Sequence, residues 1–201
     1  MTTQTITDKG TDHSRKRLRE LIAGLYDPEM QTRFSSACAL GTFARDNPAL
    51  VKQVWNRIFY AFDDTMSCWG ASEGLGEIAR NLPDMRGKIL ALLRKFQNDE
   101  ASCQGFIWAV CRIGQADREL VKAFIPDLIS RLDGYSACML GQSIWALGEL
   151  RVSGAATRIR HFLNDPRETW IYENDEVLKK TLGQISAEAL QKLPPGQSAS
   201  Q

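Results

Sequence analysis

Residues 142–150 read QSIWALGEL, and residues 105–113 read GFIWAVCRI. An Ile-Trp-Ala phrase followed by an aliphatic residue thus returns after 37 residues. Two earlier segments fall into the same frame, FSSACALGTFAR (34–45) and WGASEGLGEIAR (69–80). Their central small residues are Gly41, Gly76, Cys111 and Gly148, spaced by 35, 35 and 37 residues. Leu40, Leu75, Val110 and Leu147 precede them, and Phe43, Ile78, Ile113 and Leu150 follow two places on. A period of this size, held in register, marks an array of stacked supersecondary units.

Each segment follows a second apolar-periodic stretch: 18–27, 54–64, 88–99 and 124–134. Apolar residues there recur every three or four positions, as an amphipathic helix requires. Asp, Asn or Gly closes each stretch, and Pro28, Pro48, Pro83 and Pro126 stand at boundaries. Proline fits the first turn of a helix but not its interior. One unit therefore predicts as helix A, turn, helix B, loop.

The phrase LISRLDGYSACMLGQSIWALGEL (128–150) resembles the HEAT-like repeats of phycobilin-lyase relatives. Cys68-Trp69-Gly70 and Trp108–Ile113 are similar to phrases in uncharacterised bacterial HEAT-repeat proteins. The resemblance covers roughly residues 15–165. It implies an all-α fold, a right-handed α-α superhelix (HEAT-like solenoid) of about five repeats. The repeats are expected at about 15–50, 51–85, 86–120, 121–155 and 156–193, within one domain over 14–193. Residues 1–13 and 194–201 are expected to be disordered tails. Such folds serve many tasks, so fold alone implies little about function.

The C-terminal part departs from the pattern. Residues 156–165 read as a fifth helix A, and Gly183 lies 35 residues after Gly148, which allows a fifth helix B. Yet TWIYENDEVLKKT (169–181) also reads as a β-hairpin turning at Asn174-Asp175. That register opposes Tyr172 to Val177, Ile171 to Leu178 and Trp170 to Lys179. It also sets Glu173 against Glu176, an unfavourable like-charge pair. The favoured reading is a small C-terminal hairpin cap, then a helix capped by Thr181.

Counting along helix B from the small residue as zero, at 100° per residue, separates two faces. Positions −5, −2, −1 and +2 form the core side. Positions −7, −3 and +4 lie opposite and are expected to meet solvent along the inner wall. Those places hold Phe34 and Trp69, then Cys38, Glu73, Trp108 and Trp145, then Arg45, Arg80, Gln115 and Val152. Glu77, Arg112 and Glu149 flank them at +1. Neighbouring packed helices bring Trp108 and Trp145 to one level, to touch or to clamp something flat. The rings either cover gaps left by glycines or form an exposed binding stripe; the stripe is the reading preferred, since exposed apolar patches mark interaction sites.

The functional expectation is a non-catalytic adaptor or scaffold that binds another protein, or a peptide segment of one, in a concave groove. Phe34, Trp69, Trp108 and Trp145 would be apolar anchors, with Glu73, Arg112 and Glu149 orienting the partner. Trp170 and Tyr172 would add a secondary contact or simply pack. Two alternatives stand beside this. One is a HEAT-like nucleic-acid-binding protein or DNA glycosylase clamping a cationic base with Trp and carboxylate. The other is an assembly or cofactor-delivery helper for a client enzyme.

Bulk properties prune the remainder. Net charge is +1, which gives no global attraction to nucleic acid. The basic run Arg15, Lys16, Arg17 and Arg19 reads as a solvated face. No apolar run is long enough for a membrane span, and the N-terminus lacks a secretory h-region, so a cytoplasmic location is the default expectation. The cysteines number five, with no CxxC spacing, and only two histidines are present, so neither a metal nor a cofactor site is expected. No phosphate loop or nucleophile elbow is found.

Overall fold

The computed structural model describes residues 4–63, 70–97, 103–134 and 136–194. Trp69 and Cys68 lie outside these residues. The described chain is mostly helical with one two-stranded antiparallel sheet, and it divides into two compact units, Met1–Lys95 and Phe96–Gln201.

In the first unit, α1 (Gln4–Gly24), α3 (Pro48–Asp63) and α5 (Arg86–Leu93) arise from the A stretches. The B segments form α2 (Met30–Asp46) and α4 (Ala71–Asn81). Helix α1 begins at Gln4, so most of the expected N-terminal tail is helical. The helices stop where the sequence supplies breakers. Asn47 closes α2 and Pro48 opens α3. Pro83 starts a short 3-10 turn after α4. Arg86 then donates from its guanidinium to the carbonyls of Ala79 and Arg80, satisfying the exposed end of α4. Helices α2 and α4 pack closely, and Gly41 is the reason. A Cβ there would sit 2.9 Å from Cβ of Glu77, closer than real carbon contacts allow.

In the second unit, α6 (Cys103–Ala116), α9 (Ala137–Glu149) and α11 (Leu182–Lys192) carry the B register at Cys111, Gly148 and Gly183. The A helices are shorter: α8 (Ile125–Ser130) and α10 (Ala156–Arg160), with an additional turn, α7 (Arg118–Val121), after α6. Ser136 caps α9 by accepting from the amide of Met139. Gly148 meets α11 directly, since a Cβ there would lie 2.7 Å from Cα of Ala189.

Between α10 and α11 the chain forms β1 (Glu168–Glu173) and β2 (Glu176–Thr181). Of the two C-terminal readings the hairpin is the one found, and a helix carrying Gly183 follows it. The register opposes Tyr172 to Val177, Ile171 to Leu178, Trp170 to Lys179 and Glu173 to Glu176, as the sequence implied. Asn174 and Asp175 take φ of 52° and 63°, the left-handed values that a two-residue hairpin turn of type I′ requires. Lys180 relieves the opposed glutamates. Its ammonium pairs with Glu173 and, 2.8 Å away, with Glu188 of α11. Burial alone would lower its pKa, but hydrogen bonds to those two carboxylates outweigh burial and raise it. Thr181 closes the strand and opens α11 through a reciprocal capping box with Gln184.

A covered aromatic face as candidate functional site

The indoles of Trp108 on α6 and Trp145 on α9 stack in parallel, with centroids 5.1 Å apart and planes 4° apart. Equal position in the repeat brings them level, as expected. Solvent exposure, however, is not what the structure shows. Trp108 is 3% exposed, Trp145 6% and Phe34 3%, and Glu73 is buried too. The expectation that positions −7 and −3 face water is therefore corrected for these four residues. Val152, expected at the same face, is also buried, while Arg45 and Gln115 are exposed as anticipated.

The physical reason differs between the units. Helix α9 packs against α6, α8, α11 and β1, so none of its faces is left open from Leu140 to Gly148. The decisive cover is the hairpin. Tyr172 meets Trp108 edge-on, with centroids 5.6 Å apart and planes at 68°. Gln142 of α9 donates its side-chain amide to the carbonyl of Trp170, 2.9 Å away, which pins β1 across the helix. Thr169 and Ile171 are buried on the other face of the strand. In the first unit, α4 lies among α2, α3 and α5, and α2 among α1, α3 and α4.

Polar groups border the stack. The Arg112 guanidinium carbon stands 5.3 Å from the Trp108 ring centroid, a cation–π geometry. Arg112 donates to Gln115, Gln115 to Glu149, and Lys192 to the other Glu149 oxygen at 2.7 Å. This chain ties α6, α9 and α11 together along one edge of the rings. Gln115 was placed on this face without a partner and Lys192 was not singled out, because their partners come from segments 34 and 43 residues away.

One aromatic of the cluster's own strand stays out. Trp170 shares a strand face with Tyr172, two residues on, yet is 47% exposed. Lys179 stands opposite it and pairs with Glu168 at 2.5 Å. The secondary contact residues thus divide: Tyr172 packs inward and Trp170 projects.

Glu73 occupies the first turn of α4, whose cap residue Gly70 has φ of 76°. Burial pushes its carboxyl up to about 7, opposed by a hydrogen bond from its own backbone amide and by the charge of Arg33. Glu77, one turn on, is buried as well, with Arg80 3.8 Å away.

These features bound the chemistry. Two rings already in parallel contact have no gap for a flat ligand, so the Trp108–Trp145 pair is no base clamp. Among the described residues no group of three or more His, Cys, Asp or Glu side chains is placed to hold a metal ion. Among them, too, no helix is long and apolar enough to cross a membrane. No protein-family model matches the chain, and no curated protein matches it.

Proposed function

We propose that the chain is a HEAT-like repeat scaffold, a right-handed superhelix of about five helix pairs that binds another protein without catalysis. What supports the repeat reading is that Gly41, Gly76, Cys111, Gly148 and Gly183 all fall inside helices formed by the B segments. A cytoplasmic setting suits the sequence reading.

The observation that carries the binding proposal is Trp170. A large aromatic ring left 47% exposed, on a strand anchored from both sides, is a preformed contact point. Its strand cannot swing freely, because Tyr172 is locked against Trp108 and the Trp170 carbonyl is held by Gln142. A rigid platform spends little free energy on ordering when a partner arrives. The buried Trp108 and Trp145 then support the surface from beneath, while Arg112 and Glu149 brace its edge. Phe34 and Glu73 are buried in the first unit and offer no exposed contact. Trp69 retains its proposed anchor role.

Affinity capture from native lysate tests this, followed by binding of the purified captured protein. Trp170→Ala should abolish binding and leave the melting temperature unchanged. Equal capture by wild type and variant would sink the hairpin as the docking face.

A further inference from the structure

In the first unit a cavity of about 770 Å³ opens between α1 and α3. One stripe of α1 forms its wall: Asp12, Arg15 and Arg19 toward the helix start, then Ile22 one turn further. Leu18 contributes to the floor from α1, and Leu50 and Val54 from α3. The size falls within the range of small-molecule sites, about 300–1,000 Å³. The lining combines an apolar stretch with polar groups, the charged ones on α1 and Gln53 and Tyr26 elsewhere along it.

The two arginines are the informative part. Both are exposed, and they stand one helical turn apart on the same face. Arg17, on a different face, is taken by Glu20 at 3.5 Å. Neither Arg15 nor Arg19 forms an ion pair or hydrogen bond among the described residues. Two guanidiniums without a partner among the described residues therefore border an apolar trough. Asp12 adds one negative charge beyond Arg15, at the end away from Ile22.

We propose that this groove is a binding site for an anionic amphiphile, a single hydrocarbon chain ending in a carboxylate. The chain lies along Leu18, Ile22, Leu50 and Val54. The carboxylate sits between Arg15 and Arg19, whose planar forks suit two-oxygen acceptors. Asp12 disfavours a headgroup placed further out, so the carboxylate seats on the Arg19 side. The solvated-face reading of the basic run then holds for Lys16 and Arg17 but not for Arg15 and Arg19.

Dodecanoate is the probe, with dodecanol as its uncharged equivalent, both measured by calorimetry on the full chain below micelle-forming concentrations. Dodecanoate should bind at one saturable site, and methyl signals of Leu18, Ile22, Leu50 and Val54 should shift in NMR spectra. The exposed-site double variant Arg15→Ala/Arg19→Ala should weaken dodecanoate by about tenfold or more while leaving dodecanol unchanged. Asp12→Asn should tighten dodecanoate binding. The proposal is overturned by non-saturable binding, by methyl shifts elsewhere, or by an arginine variant that binds dodecanoate as the wild type does. It is equally overturned if only a helical peptide with glutamates one turn apart occupies the groove and dodecanoate does not.

Discussion

Helices α4 and α9 occupy the same place in the repeat and solve the same problem in opposite ways. Each is enclosed by its own unit and buried over nearly its full length. At position −3, α9 carries Trp145, which finds a partner ring in Trp108. At that position α4 carries Glu73, a carboxyl that burial drives toward its neutral form. At +1, α9 has Glu149, held by Gln115 and Lys192, whereas α4 has the buried Glu77. The lesson is that helical period sets which residues are level with one another. What covers them is decided by a neighbour, and in the second unit that neighbour is the hairpin.

The comparison predicts a hierarchy of effects. Trp108→Ala should be the most damaging, costing about 3–5 kcal/mol of stability through the cavity left between Trp145 and Tyr172. Urea denaturation measures this, and a loss well below that range would mean that the stack is peripheral to the core. Glu73 should make stability pH-dependent in the sense opposite to an ordinary salt-bridged acid. Its folded pKa of about 7 exceeds the ordinary value of 4.5, so the folded state holds more protons between those limits. Stability should then fall by about 3 kcal/mol as pH rises through that window. Glu73→Gln should flatten the profile; an unchanged slope would place the titration elsewhere. Thr181→Ala removes the helix cap that ends the hairpin and should cost about 1 kcal/mol, read as a lower melting temperature. Trp170→Ala should change stability by no more than about 0.5 kcal/mol, because its ring is half in water. That small value beside the large one for Trp108 is what separates a surface contact from a core residue.

Much of the architecture could be read from the residues. The B register rests on the repeat period, while the breaks at the prolines, the hairpin register and the Thr181 cap rest on local chemistry within a few positions. The level pairing of Trp108 with Trp145 followed from their equal place in the repeat. The exposure of those rings did not. A wheel drawn around one helix treats the side facing away from the core as water, and here Tyr172 arrives there from 64 residues beyond Trp108. Glu73 was misassigned for a related reason: a charged side chain reads as solvated unless the helices around it are known. The extension of α1 to Gln4 was missed because TTQTITDKG has no apolar period.

The base of the hairpin is closed. Glu168 is paired with Thr181, and the amide of Leu182 donates to the carbonyl of Arg167 at 2.8 Å. The chain leaves the α10 side and returns to α11 at nearly the same point. The hairpin is therefore a cassette: it adds no distance between the helices it interrupts. Such an insert can be removed or exchanged without shifting the spacing of α10 and α11. Its removal here would leave the helical frame connected, but would turn Trp108 from a core residue into a sticky surface.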